Sequence, residues 1–248
     1  MNNNNNFFNN SSYNSYSNQN TYTQGISFSS YIAKTYLWMF LGLGITFGLS
    51  FFMTLKSASV IDFITNNFEL YLGGVIASLI FVVIIGFLVY KLPPLAAKII
   101  FILYSADMGI ILTPTLLLYE FGSVIGVFAA TAGIYLVLAL IGLTTQRDMS
   151  KLGSILGISL FGILIYSLIS YFFIRTPLNN LIINIIVIVI FMGFTVFDNF
   201  KIKKEFTRLQ YADSRLLEKA SILSALSLYM DYINLFIRIL AIFGKRRD

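Results

Sequence analysis

The chain has 248 residues, 57% of them hydrophobic and only 11% charged, where a soluble domain carries about a quarter. So few charges cannot cover a water-exposed surface, and lipid is the natural solvent for most of this one. There is no His and no Cys, which excludes thiol nucleophiles, disulfides, histidine general bases and the usual zinc ligands. The formal net charge of +6 sits in short loops, where membrane topology accounts for it, and no nucleic-acid recognition motif accompanies it.

Residues 1–30 open as MNNNNNFFNN and continue in Asn, Ser, Tyr and Gln, with no Lys or Arg before Lys34. That composition lacks the basic start of a secretory signal and predicts a disordered tail ahead of a transmembrane domain over 31–248. Apolar runs then alternate with short polar breaks. The expected spans are Tyr36–Thr54, Leu70–Tyr90, Ala97–Leu118, Gly122–Leu143, Ser154–Phe173, Leu181–Phe200 and Ser221–Phe243, each near the roughly 20 residues needed to cross the hydrocarbon core. Lys91-Leu92-Pro93-Pro94, Thr145-Gln146-Arg147-Asp148 and Arg175-Thr176-Pro177 supply the turns. Glycines inside the runs (Gly42, Gly44, Gly48, Gly73, Gly74, Gly153, Gly157) are expected to permit close helix contact.

Numbering the loops alternately gathers Lys34, Lys91, Lys98, Arg147, Lys151 and the basic connection Lys201–Lys219 on one side, and Lys56, Arg175 and the C-terminal tail on the other. The positive-inside rule places the N-terminus in the cytoplasm. Lys245-Arg246-Arg247 conflicts with seven complete spans, so the alternatives are six spans plus a re-entrant last segment, or a tail overridden by helix insertion. The connection Lys201–Lys219 interleaves cations with Phe200, Phe206, Leu209, Leu216 and Leu217. An amphipathic segment on anionic lipid is one reading, and the positive-inside bias accounts for it without further function.

Three acids fall inside apolar runs, where a carboxylate costs a few kcal/mol and marks function by default. Asp198 is near the end of the sixth run, one turn before Lys201, and a local interfacial pair competes with a functional role. Asp231 is in the middle of the last run, and Asn234 and Arg238 follow on the same helix face. This polar stripe favours an inward-facing pathway over a helix-packing seam. Asp107 lies midway along the third run. Its plain reading is a protonated carboxyl bonded to a backbone carbonyl or to Ser105, with a functional role as the alternative.

The block ALSLYMDYINLFIRILAIFGKRRD resembles the C-terminal end of the Bax inhibitor-1 (transmembrane Bax inhibitor motif) family. FDNFKIK is similar to the end of its sixth helix, TAGIYLVLALIGLTTQRDMSKLGSIL to its fourth-to-fifth helix region and GIILTPTLLLY to its third. The resemblance, of the bacterial calcium-leak type, spans the chain after the Asn-rich tail. It implies an all-α bundle of seven transmembrane helices with the last helix central. It also implies a pH-sensitive calcium leak with Asp198 and Asp231 as a di-aspartyl pH sensor. An Arg latch at the end of the family's second helix is replaced here by Lys91, a point charge without the bidentate fork.

Two carboxylates held close at low dielectric share a proton and titrate as a unit. The expected mechanism is protonation that alters how the last helix is held and so gates a cation path, with calcium passing on the oxygens of Asp198, Asp231 and Asn234. No permanently bound cofactor and no enzymatic activity are expected. An intramembrane aspartyl protease would carry a GxGD-type motif, whereas the surroundings here are YMDY and VFDN, and a rhomboid-type protease lacks its His. The rival reading is a non-transporting regulator that binds a membrane protease or another membrane protein. The expected location is a bacterial cell membrane, with an endoplasmic reticulum or Golgi membrane as the alternative.

Overall fold

The computed structural model describes residues 27–247 apart from 89, 90, 175 and 212, with backbone alone at 79 and 83–88. The Asn-rich tail before residue 27 and the end of the run at Tyr90 lie outside the described residues. Eight helices form among the described residues: α1 (Phe28–Thr54), α2 (Ser57–Asn66), α3 (Phe68–Leu88), α4 (Pro94–Leu117), α5 (Phe121–Thr144), α6 (Ser150–Phe173), α7 (Pro177–Leu209) and α8 (Ser214–Phe243). The only strand-like pairing among the described residues is one isolated bridge, Tyr119 to Arg246. Among the described residues six helices are long and apolar enough to cross a membrane, and α2 with α3, bent by 93° at their junction, pass the same test only when taken together, as a broken span or a re-entrant loop.

Local chemistry sets the ends. Ser27 caps α1 by accepting from the Ser30 amide at 3.2 Å, and Thr176 caps α7 by accepting from the Asn179 amide at 3.3 Å. Pro94 and Pro177 occupy first-turn positions, where the missing N–H costs nothing. The 33 residues of α7 make a rod of about 50 Å, well beyond the roughly 30 Å hydrocarbon core.

That length corrects the expected connection. Lys201–Lys219, expected as a basic connection between two spans, is mostly helix. Helix α7 runs on to Leu209 and α8 starts at Ser214, because Ile202, Leu209 and Leu217 stay buried while the cations face outward. The last apolar run is a single unbroken helix, so the re-entrant alternative fails there; the bent element is α2–α3 instead.

Helix α8 is the centre of the bundle. It packs on α7, α1, α5 and α4, and 56% of its most apolar stretch is buried inside the protein, against 11% for α6. Leu228, Tyr229, Leu235, Phe236 and Leu240 are fully enclosed. The Tyr229 hydroxyl donates to Thr46 Oγ1 (2.7 Å), which passes its own hydrogen to the Ser105 carbonyl (2.8 Å). Tyr135 donates to the Leu228 carbonyl (3.3 Å) and Tyr232 to that of Phe128 (2.9 Å). In hydrocarbon these polar ends need protein partners, and each finds one across a helix seam.

Of the glycines expected at contacts, Gly42 and Gly153 meet aromatic rings of α4 and α7, while Gly44, Gly48, Gly73, Gly74 and Gly157 face open space. At Gly142 the approach is to backbone, and a side chain there would overlap the Val196 carbonyl and Asn199 of α7. This close approach of α5 holds α7 in place at the turn that carries Asp198.

Candidate functional site

Asp198 of α7 and Asp231 of α8 line one cavity of about 350 Å³, together with Ser227, Asn234 and Arg238 and with apolar residues of α6 and α7. Asp231 is 4% exposed, and its Oδ2 has no hydrogen-bond partner among the described residues. Asp198 is half-buried and also lines a second, more polar cavity of about 390 Å³, with Lys201, Glu205, Arg208, Ser224 and Ser227. Asp198 and Ser227 belong to both cavities. The two cavities therefore adjoin at these residues, one beside the α7–α8 connection and the other at the buried carboxylate.

The flanking groups hold this arrangement. Asn199, fully buried, accepts from the Tyr36 hydroxyl at 2.5 Å and donates to the Thr195 carbonyl at 2.7 Å. It ties α7 to α1 beside Asp198. Asn234 Nδ2 donates to the Met230 carbonyl at 2.8 Å, and Arg238 Nη1 donates to Asn184 Oδ1 of α7 at 3.1 Å. The stripe Ser227, Asp231, Asn234 and Arg238 thus faces one cavity, as spacings of three and four on a helix require.

The other sequence candidates lie elsewhere. Lys91 is exposed between α3 and α4 and lines neither cavity. Lys201 shares the outer cavity with Asp198 but forms no ion pair with it among the described residues. Asp107 accepts a hydrogen bond from Ser78 of α3, not from Ser105, whose hydroxyl donates to the Phe101 carbonyl at 2.9 Å. Residues two apart on a helix do not face each other, which makes Ser105 a poor partner for Asp107. Sequence reasoning also missed Ser227, Asn184, Asn199 and Tyr36. Ser227, one turn before Asp231, was open to the same face argument; the other three depend on pairing between distant helices.

No group of three or more acidic side chains gathers among the described residues. A calcium ion takes six to eight oxygens, and two carboxylates with Asn234 and Ser227 fall short of that shell. The arrangement places two carboxyl groups on the lining of one cavity, and Asp198 also on the lining of a second, more polar one.

At the connection end, Lys98 pairs with Glu218 at 2.5 Å, and Lys204 donates to Ser150 at 2.9 Å. The C-terminal tail lies at the opposite end, with the Leu118–Glu120 turn, where the Glu120 amide donates to the Lys245 carbonyl at 2.9 Å. Phe28, at the start of α1, packs on Phe206 at the connection end, so the start of α1 and the segment after α8 sit at opposite ends of the bundle.

Residues 28–248 match the family model described as inhibitor of apoptosis-promoting Bax1. The chain is 35% identical to the inner membrane protein YbhL of Escherichia coli K12 over 217 residues, covering 88% of this chain and 92% of that protein. It is 33% identical over 218 residues to an uncharacterised protein of Borreliella burgdorferi, covering 88% and 93%. With an uncharacterised membrane protein of Streptococcus pyogenes serotype M1 it shares 32% identity over 226 residues, covering 90% and 96%. The helical bundle, its long apolar spans and a match over nearly the whole helical region agree: the chain is an integral membrane protein and belongs to the Bax inhibitor-1 family.

Proposed function

We propose that the protein is a cation leak channel that passes calcium and is gated by a proton shared between Asp198 and Asp231. The observation that carries this reading is the single cavity lined by both carboxylates, with Asp231 Oδ2 buried and unpartnered and a polar approach from the connection end. A proton on the pair turns one carboxylate into a donor to the other and ties α7 to α8. Its loss leaves two like charges in a low-dielectric site and pushes the helices apart. Calcium is the cargo, not a resident cofactor, and the protein has no enzymatic role in this reading.

The basic residues at the connection end support a cytoplasmic N-terminus, with the tail on the far side of a bacterial cell membrane. Under that orientation the outer cavity opens to the cytoplasm and the pair senses cytoplasmic pH. Lys201 and Arg208 at its mouth disfavour cation entry until the pair is ionised.

The test is calcium flux into liposomes of purified protein as a function of pH, for wild type and for Asp198→Asn and Asp231→Asn. Wild type gives a sigmoidal pH response, and each variant loses it, because an amide cannot titrate. A pH response unchanged in both variants overturns the sensor. No flux in pure liposomes, with a membrane protease or other membrane protein co-purifying stoichiometrically, replaces the channel by a regulator.

A further inference from the structure

The tail is a built feature. Gly244 ends α8 at a place where any side chain would overlap the Leu240 carbonyl and the Tyr119 ring, so glycine lets the chain turn across the tyrosine. The Lys245 amide then donates to Ser123 Oγ at 2.8 Å, the Arg247 amide donates to the Leu118 carbonyl at 2.9 Å, and Lys245 Nζ pairs with Glu120 at 2.7 Å. Three consecutive cations are thereby fixed to the end of the bundle that is poor in basic residues, where topology does not account for them. Lys245 is neutralised by Glu120; Arg246 and Arg247 are exposed, with no acidic partner among the described residues.

Two adjoining concavities lie beneath them. One, of about 530 Å³, sits between the ends of α1, α4 and α5, walled by residues such as Phe47, Phe51, Leu116 and Phe128; Arg247 is its one charged lining residue among those described. The other, of about 420 Å³, is lined by Leu117, Leu118, Arg246 and Arg247. They share Leu117 and Arg247. An apolar cleft of ligand size therefore adjoins a cleft lined by two guanidinium groups that have no acidic partner among the described residues.

We propose that this end of the bundle binds an anionic phospholipid, with one acyl chain in the apolar cleft and the phosphodiester headgroup on Arg246 and Arg247. Charge complementarity commits the site to an anionic headgroup: guanidinium forks match phosphate oxygens bidentately. The walls of Phe and Leu suit a saturated or monounsaturated chain. The backbone bonds between tail and turn hold the two arginines in place before the lipid arrives, which reduces the ordering cost of binding.

The experiment is native mass spectrometry of the full-length protein from mild detergent. The probes are phosphatidylglycerol, phosphatidylcholine with the same acyl chains, and oleate. Wild type is expected to retain one phosphatidylglycerol per chain at collision energies that strip phosphatidylcholine, and to gain thermal stability only from the former. The double variant Arg246→Gln/Arg247→Gln should lower phosphatidylglycerol retention roughly tenfold, the loss expected from one charge-assisted contact or more. Gly48→Leu should lower it as well, because Gly48 lines the apolar cleft and a side chain there meets no neighbouring atom of the fold. Equal retention of phosphatidylglycerol and phosphatidylcholine, or retention indifferent to the double variant, overturns the proposal. Oleate retained as well as phosphatidylglycerol overturns the phospholipid in favour of a free fatty acid. The arginine side chains are exposed and carry no packing, so the double variant folds; the readout is independent of ion flux.

Discussion

Replacing Asp231 by leucine should make the protein more stable while removing the proposed pH response. Asp231 is 4% exposed, and one carboxyl oxygen has no partner among the described residues. A buried polar atom left unpaired costs about 1–3 kcal/mol, which Asp231→Leu recovers. The added bulk has the adjoining cavity of about 350 Å³ to enter, so overpacking is small. For a chain of this length about 1 kcal/mol moves the melting temperature by roughly 2–4 °C, so the rise should be roughly 2–12 °C. The single tryptophan, Trp38, packs edge-on against Phe101, and its fluorescence reports melting of the α1–α4 seam in detergent micelles at pH 7. Asp231→Asn keeps a polar group in the same place and should move the midpoint far less. A lower melting temperature for the leucine variant, with the asparagine variant unchanged, would refute the reasoning: the carboxylate would then be a structural partner and not an unpaired group kept for function.

Gly142→Ala should destabilise by about 1–3 kcal/mol through overlap with the Val196 carbonyl and Asn199, whereas Gly44→Ala, facing open space, should stay within about 0.5 kcal/mol; thermal melts of the two side by side check the pair. Arg238→Gln should raise calcium flux roughly fivefold at constant pH. A divalent ion roughly 8 Å from one positive charge is opposed by about 1 kcal/mol even at the dielectric of water, and unchanged flux would remove Arg238 from the path. Asp148, in the α5–α6 turn, accepts from both the hydroxyl (2.6 Å) and the amide (3.0 Å) of Ser150, and these bonds hold its carboxyl below the ordinary carboxylate range. A depressed folded value means a contribution present above the unfolded value of about 4 and lost as pH falls through the folded one. Asp148→Ala should therefore flatten the acid limb of a stability–pH curve below about pH 4 and leave the limb above about pH 6 parallel to wild type.

The spans were legible because about 20 consecutive apolar residues suit a membrane crossing and little else. Their ends were not. Ile202, Leu209 and Leu217 keep α7 and α8 helical through burial against other helices, whereas the interleaved cations and apolar residues of Lys201–Lys219 read equally well as a segment on lipid or as a basic connection. Asp231, Asn234 and Arg238 were readable as one face because helical periodicity is local. That Asn184 pairs with Arg238, or that Tyr36 reaches Asn199 from α1, depends on which helices become neighbours, and an apolar run looks much the same on every side. The same limit misplaced Asp107, whose partner Ser78 lies on another helix. The glycines show it most plainly: Gly42 and Gly44 are two residues apart in one run, yet only the former meets a neighbour.

Helix α8 links the two ends of the bundle mechanically. From Asp231 to Gly244 are 13 residues, uninterrupted helix as far as Phe243, a rigid span of about 20 Å. At its far end the tail is bonded through backbone groups to the Leu118–Glu120 turn, and Lys245 adds an ion pair. Under the proposed gating, a shift of α8 on loss of a proton from the pair must either break those bonds or carry the α4–α5 turn with it. Hydrogen bonds of this kind contribute about 1 kcal/mol each, comparable to the repulsion available from two like charges across a partly hydrated cavity. The strap thus opposes α8 movement with an energy of the same order as the driving force. Ser123→Ala weakens it without touching the carboxylates, by removing the acceptor of the Lys245 amide. If the bond is made in the closed state and broken in the open one, its loss favours opening, and less ionisation of the pair is then needed to open the channel. The pH midpoint of flux should therefore fall, by roughly 0.7 unit for about 1 kcal/mol coupled to one proton. A restraint acting equally on both states leaves the midpoint where it was. Calcium flux against pH for Ser123→Ala separates the two cases, and a midpoint identical to wild type would mean that the tail is a bystander to the gate.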